Sequence, residues 1–148
     1  MVEGVAALQA RLTKQVPEVV QQAMRVSMEQ GAEETVQMMR RLVPVKEGDL
    51  RDSIGWTWGD APAGSMILGT VQGRTYKTMR ILIYAGNEKT IVTNERGVQF
   101  QNARLQEFGT QAMEANPFFF TSWRTMKKRV KSRISRNVRK AIKSVGGT

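Results

Sequence analysis

Residues 116–145 read NPFFFTSWRTMKKRVKSRISRNVRKAIKSV, and this stretch decides the class of fold. Apolar side chains recur in it at steps of three or four residues, which predicts one amphipathic α-helix of roughly seven turns. Pro117 suits the first turn of such a helix, because the N–H that proline lacks would have no partner there. The periodic positions are Phe119, Trp123, Met126, Val130, Ile134, Val138, Ala141 and Val145.

The net charge of +10 resides entirely in this C-terminal segment. Residues 1–114 carry 13 basic and 13 acidic side chains, whereas residues 115–148 carry ten basic and no acidic ones. The sequence therefore predicts a neutral body with a cationic helix at its end. The candidate contacts to a partner protein or to DNA are Arg124, Lys127, Lys128, Lys131, Arg133, Arg136, Lys140 and Lys143.

The cationic helix has four interpretations. The simplest is the solvated face of an ordinary amphipathic helix, and the next is a contact with an acidic protein surface. Nucleic-acid phosphate and an anionic membrane surface are the other two. No helix-turn-helix, zinc-finger or aromatic RNA-binding pattern accompanies the basic residues, so their number alone does not decide among these interpretations.

Residues 1–43 are predicted to be helical, because their apolar side chains also recur mostly at steps of three and four. Pro17 either kinks this helix or begins a second one at its first turn. Gly31 predicts a weaker break. Pro44 ends the helix, since proline restricts the residue before it and cannot continue the hydrogen-bond ladder.

Residues 44–112 are predicted to form the sheet and its loops. Lys46–Gly48 has the character of a turn, and residues 53–58, 66–72, 79–84 and 90–93 have the character of strands, with residues 73–77 as a hairpin connection. With the helix at residues 116–145, the order is helix, strands, helix. The chain is therefore predicted to be one α+β domain over residues 1–148, with a small antiparallel sheet of about four strands.

The composition argues against most kinds of catalysis. Without histidine or cysteine there is no imidazole base, no thiolate nucleophile and no common zinc, haem or iron–sulfur site. Asp49 and Asp52 lie near Ser53, and Glu107 stands alone; capping, turn formation or a surface ion pair are the simpler roles for these carboxylates. We expect no enzyme activity, no cofactor, no bound metal and no small-molecule substrate. No segment has the roughly 18 apolar residues of a membrane span.

Some of the aromatic side chains are predicted to lie in the core and some at a contact between subunits. Successive helical residues are about 100° apart, so Phe118, Phe119 and Phe120 cannot all face one core. At least one of them is expected to meet a second surface, because aromatic side chains are enriched at the centres of protein interfaces. Trp123 and Phe108 are predicted to be buried. Trp56 and Trp58, on one face of a strand, are also assigned to the core.

Two motifs together resemble a family of tailed-bacteriophage proteins, the neck and minor tail (tail-completion) group that includes the lambdoid minor tail protein Z. The first is VPVKEGDLRDSI at residues 43–54, and the second is ARLQEFGT at residues 103–110, followed by NPFFF. Residues 59–76 show no pattern of that family. The matching positions are Pro44, Gly48, Leu50, Arg51, Ser53, Ile54, Ala103, Glu107, Phe108, Gly109, Thr110, Pro117 and Phe118.

This resemblance implies a structural protein of the virion, made in the host cytoplasm and placed where the capsid connector meets the tail. It implies a ring of this chain, favouring six copies, that binds adjacent neck, connector or tail-tube proteins around the path of the genomic DNA. The alternative is a basic nucleic-acid-binding protein that uses the C-terminal helix. Within the motifs, Glu107 is expected to pair with Arg51 or with an arginine of a neighbouring subunit, and Gly109 to make a turn.

Overall fold

The computed structural model describes Val5 and residues 16–44, 48–72 and 80–146. It confirms the α+β class. The predicted helical residues 1–4 and 6–15 lie outside the described residues, as do most of the Lys46–Gly48 turn and the connection at 73–77. The helices are α1 (Val16–Leu42), α2 (Asp49–Asp52), α3 (Asn102–Phe108) and α4 (Phe119–Gly146), and the strands are β1 (Gly55–Thr57), β2 (Met66–Gln72), β3 (Arg80–Ala85), β4 (Ile91–Thr93) and β5 (Gln99–Gln101).

The two long helices end close to the predicted positions. The helix α1 ends at Leu42, two residues before Pro44, and Pro17 lies in the first turn within its bounds. The helix α4 begins at Phe119, so Pro117 precedes the helix and the prediction that it occupies the first turn is wrong. The N–H groups at the start of the helix belong to Phe118 and the residues after it, and a side chain from elsewhere in the chain binds them.

The strands form two antiparallel sheets in place of the single predicted one. The larger has the order β1-β3-β2, with Trp56 opposite Ile83 and Ile67 opposite Tyr84. The smaller pairs β4 with β5. The predicted strand at residues 53–58 is shorter, because Asp49–Asp52 is helical and Ser53 still donates its N–H to Asp49. The strand β5 and the helix α3 were not predicted.

The chain divides into two compact units. The sheet unit is Ala32–Lys127, and its core includes Val36, Met39, Ile54, Ile83 and Phe118, each at most 1% exposed. The assignment of Trp56 and Trp58 to this core is wrong, since both are half-buried. The indole Nε1 of Trp56 donates to Glu33 at 2.8 Å, so its polar edge stays near the surface.

The helical unit consists of the residues up to Gly31 and from Lys128 onward, taken from α1 and α4. Gly31 lies inside α1 and does not break it, contrary to the prediction. A Cβ atom at Gly31 would lie 2.7 Å from Cγ1 of Val130, so the missing side chain lets the helices approach closely. Asn137 donates to the hydroxyl of Ser27 at 2.8 Å across the same pair of helices. That the whole chain is one domain stays a prediction.

Candidate interaction site

Glu107 caps the N-terminus of α4. Its side chain is only 4% exposed, at the end of α3. The carboxylate accepts the backbone N–H groups of Phe118 at 2.9 Å, Phe119 at 2.8 Å and Phe120 at 3.1 Å. These groups have no partner within the helix, and a negative charge is favourable at that end of it. The predicted pairing of Glu107 with Arg51 is therefore wrong; Arg51 Nε lies 3.4 Å from the adjacent Asp52.

Gly109 makes the turn that brings the start of α4 back to the end of α3. It has a φ of 72°, as its predicted turn role requires, and a Cβ atom there would lie 2.7 Å from the backbone N of Ala115. Thr110 donates its N–H to Met113 at 2.8 Å, and Asn116 donates to the carbonyl of Gln106 at 2.6 Å. The loop is thus closed by its own backbone, and Glu107 reaches the helix end.

Phe108 is 62% exposed, so the prediction that it is a core residue is wrong. Glu107 faces the interior, and the next helical side chain points about 100° away. The ring of Phe108 lies 6.0 Å from the ring of Phe120, which is half-buried, whereas Phe118 and Phe119 are fully buried. Trp123 is also half-buried and not a core residue. Of the three successive phenylalanines, Phe120 is the one that is not fully buried, and that it meets a partner surface stays a prediction.

The remaining motif residues build the sheet unit. Leu50, Ile54 and Ala103 are buried, and Gly48 has a φ of 84°. The hydroxyl of Ser53 donates to the carbonyl of Leu50 at 2.6 Å and accepts the N–H of Gly86 at 2.9 Å. The motifs therefore specify a scaffold, and Phe108 is the aromatic motif side chain that the scaffold leaves exposed to solvent.

Phe108 lies in the wall of a cleft of about 470 Å³, which has an apolar side and a polar side that includes Ser65, Gln99 and Gln101. Ile67 is 50% and Phe100 40% exposed, and Phe120 and Leu105 complete its apolar wall. The exposed Arg104 is the charged residue in its lining. We call these six residues the aromatic surface. Exposed apolar groups gathered in this way mark interaction sites. The residues are Ile67, Phe100, Arg104, Leu105, Phe108 and Phe120.

A second cleft in the sheet unit, of about 440 Å³, lies between the two motif stretches. Pro44 and Gly48 line it from one stretch, and Gln106 lines it from the other. Among the described residues of its lining, Asp49 is the one carboxylate, so these residues include no pair of acids for glycoside hydrolysis. Within the residues that the structure describes, no three His, Cys, Asp or Glu side chains lie close enough together to hold a metal ion.

A third cleft, in the helical unit, is an apolar groove of about 640 Å³ between α1 and α4. Val19, Ala23 and Val26 line it from α1, and Ala141 lines it from α4. Glu18 and Lys140 are the charged residues of its lining. Val26 is 41% exposed, so part of the apolar wall of this groove is accessible to solvent. We call it the helical groove.

The predicted contact residues of the cationic helix all lie on α4. Arg133 is half-buried and the others are exposed. Arg124 and Lys127 belong to the sheet unit, and the residues from Lys128 onward belong to the helical unit. No helix in the described part of the chain is long and apolar enough to span a membrane.

A family model built from known proteins matches most of the chain. No curated protein and no solved structure resembles the chain at a significant level. The family model HK97-gp10_like, described as "Bacteriophage HK97-gp10, putative tail-component", matches residues 6–109. The match covers more than two thirds of the chain, includes both Leu50 and Phe108, and ends before α4. It confirms the resemblance seen in the two motifs: the chain belongs to the HK97-gp10-like family of bacteriophage tail components.

Proposed function

We propose that the chain forms a ring at the head–tail junction, or at the top of the tail, of a long-tailed bacteriophage. It acts there in head–tail joining or tail completion. Membership of a tail-component family supports a place in the virion, and the six-fold symmetry of tail tubes favours six copies. The mechanism is binding without catalysis, in keeping with a sequence that lacks histidine and cysteine.

The aromatic surface is the main support for this proposal. A ring closes when two different surfaces of one subunit are complementary, so that each copy binds the next head to tail. The chain presents two such apolar surfaces, the aromatic surface on the sheet unit and the helical groove on the helical unit. We propose that the helical groove of one copy binds the aromatic surface of the next copy.

The charges at these two surfaces support the pairing. Arg104 is the charged residue of the aromatic surface, and Glu18 lies in the lining of the helical groove. Both side chains are exposed. Opposite charges at the rim of an interface contribute modestly to affinity, but they fix the register of the two partners. Phe108, with the most exposed ring, supplies the apolar anchor.

The oligomeric state of the full chain, measured by native mass spectrometry and light scattering, tests the proposal. The unmodified chain should form a closed ring, and Phe108→Ser should shift it toward monomer. Val98→Ser is the matched control, because Val98 is 47% exposed but is not part of the aromatic surface. Arg104→Glu and Glu18→Arg should each weaken the ring, and the two changes together should restore it.

A chain that stays monomeric both in solution and in particles would refute the ring. A double charge reversal that fails to restore assembly would refute the pairing of these two surfaces. The location is tested separately, by electron imaging of phage particles that carry a label on this chain: label on the capsid shell or the tail tip would contradict a place at the junction.

A further inference from the structure

The solvent-facing side of α4 takes part in neither the core nor the proposed ring contact. Over Lys128–Lys143, the helix carries a strip that contains only basic and hydroxyl side chains. We call it the cationic strip and define it by six members whose side chains are all exposed. These members are Lys128, Ser132, Ser135, Arg136, Arg139 and Lys143.

Helical geometry puts the six members on one side. At 100° per residue they fall within an arc of about 100°, and the 15 steps from the first to the last span roughly 22 Å along the axis. Val130, Ile134 and Ala141 lie on the opposite side, where Val130 is buried. The strip is therefore a continuous cationic edge about as long as a DNA duplex is wide.

The cationic strip works against the stability of its own helix. Residues 119–146 contain no acidic side chain, so no ion pair can form between two residues of α4. Instead, Arg136 lies three residues before Arg139, and Arg139 lies four before Lys143. Like charges at these spacings destabilise a helix. The helix dipole accounts for Lys143 in the last turn, but not for cations in the middle of the helix. A bound polyanion would remove the repulsion.

Nucleic acid fits the strip better than an acidic protein does. The centre of a protein interface needs aromatic or aliphatic anchors, and none of the six members is one. The nearest exposed apolar side chain is Ile142, about 20° beyond the edge of the strip and near the end of the helix. Phosphate contacts need no more than lysine, arginine and hydroxyl donors, which are the residue types present. Arginine and lysine can also contact the edge of guanine, but the strip offers no amide or carboxylate for adenine or cytosine, so it lacks the side chains to read a sequence of mixed bases.

We propose that the cationic strip of α4 binds the phosphate backbone of duplex DNA without sequence preference. The inference goes beyond the proposed ring, because it concerns a different face of the chain and holds whatever the oligomeric state. The N-terminus of α4, often an anion site, takes no part, since Glu107 already occupies its N–H groups. Binding therefore depends on side-chain charge and on the release of counterions, and it should be sensitive to salt.

The test uses the full chain, a fluorescein-labelled duplex of mixed sequence and fluorescence anisotropy over a salt series. The strip variant carries Arg136→Gln, Arg139→Gln and Lys143→Gln. The control variant removes the same charge from exposed positions of the sheet unit, with Arg41→Gln, Lys89→Gln and Arg96→Gln. Circular dichroism establishes that both variants are folded, and the strip variant should melt no lower than the unmodified chain.

The expected result is binding that weakens with salt for the unmodified chain and for the control. Log affinity decreases with log salt, and this dependence should become shallower by about 0.9 for each phosphate that the protein no longer neutralises. In the strip variant the slope should therefore be shallower by roughly three. The drop in affinity between about 50 and 200 mM salt should therefore be roughly 40-fold smaller in that variant.

Three outcomes would overturn the proposal. One is equal DNA binding by the strip variant and the unmodified chain. Another is an equal decrease in the strip and control variants, which would assign binding to net charge alone. The third is displacement of the duplex by poly-L-glutamate at lower charge concentration than by unlabelled duplex, which would favour an acidic protein. Mass spectrometry of the strip variant separates this test from that of the ring, since its assembly should be unchanged.

Discussion

The backbone N–H of Phe119 donates to Oε2 of Glu107 at 2.8 Å, although 12 residues separate them in the chain. A helix that begins at Phe119 has no serine, threonine, aspartate or asparagine at the position where such residues usually cap the first turn. The buried carboxylate from α3 takes that role. This contact joins the end of one family motif to the beginning of the helix that follows it.

Removing this cap should destabilise the sheet unit. Glu107→Ala leaves three N–H groups without their acceptor, and Glu107→Gln retains only one oxygen to accept them. We expect a decrease of about 1–3 kcal/mol in the free energy of unfolding for alanine and a smaller decrease for glutamine. Urea denaturation measures both, with the exposed Glu114→Gln as control. Equal stability of the alanine variant and the control would contradict the capping role.

Substitution of Phe118 should mainly reduce the stability of the fold, whereas substitution of Phe108 should mainly reduce self-association. Phe118 is fully buried, so Phe118→Ala should cost about 3–5 kcal/mol. Phe108→Ala removes a ring that is 62% exposed and should cost far less, while weakening self-association. Thermal melts at low protein concentration, where the ring interface contributes little, separate the two effects. A large melting shift for Phe108→Ala under these conditions would show that its role lies in folding.

Gly31→Ala should be destabilising, although alanine is the better helix former by about 1 kcal/mol. The added methyl would lie 2.7 Å from Cγ1 of Val130, and the strain should outweigh the gain in propensity by roughly 1–2 kcal/mol. The double variant with Val130→Ala provides the control, because it vacates the space. Chemical denaturation of the parent, the two single variants and the double variant measures the effect. The double variant should be more stable than the sum of the two single effects predicts. Equality with that sum would argue against a close approach of Gly31 to Val130.

Glu33 should make stability fall in acid. Hydrogen bonds from Gln37 and Trp56, helped by the charge of Arg40, lower the pKa of this carboxyl below its ordinary 4.5, against a small opposing effect of burial. A lowered pKa in the folded state means that the stabilisation is present above the ordinary pKa and disappears as the pH falls through the folded value. Glu33→Gln should therefore be less stable than the parent near pH 7, and the difference should disappear once the pH has fallen below the lowered pKa of the folded state.

Urea denaturation at a series of pH values measures this difference. Glu33 is exposed, so the difference should be small at every pH. Glu29→Gln is the comparison variant, because Glu29 is a carboxylate of the same helix with a side chain that is 38% exposed. A gap between the Glu33 variant and its parent that persists unchanged into acid would show that the charge of Glu33 contributes nothing and that only its hydrogen-bond geometry matters.

The long elements could be predicted because their signals extend over many residues. The apolar period of α4 continues for about seven turns, and Pro44 marks the end of α1 independently of any tertiary contact. The strands β2 and β3 are rich in branched apolar residues. The helix α3 and the strand β5 were missed because each is short, and the sequence Gln99-Phe100-Gln101 is too brief to show an alternation.

The site was harder to predict because its orientation depends on tertiary contacts. In the motif Glu-Phe-Gly-Thr, the usual preference buries the phenylalanine and exposes the acid, and the structure does the reverse. The sequence carries no signal for this reversal, because with Pro117 in the first turn the cap position falls on Asn116, a usual capping residue. The helix begins instead at Phe119, so its first N–H groups need an acceptor from another segment, and Glu107 supplies it.

The pairing of Ser27 with Asn137 has a consequence during protein synthesis. The two residues are 110 positions apart, and the helical unit needs residues from both regions of the chain. At translation rates of about 5–20 residues per second, the first half of this unit leaves the ribosome roughly 5–20 s before its second half exists. The sheet unit can form in that interval, whereas the side chains of Met24 and Met28, which are buried in the folded chain, stay exposed to solvent. Nascent chains arrested before Lys128 should therefore bind chaperones that recognise apolar helices.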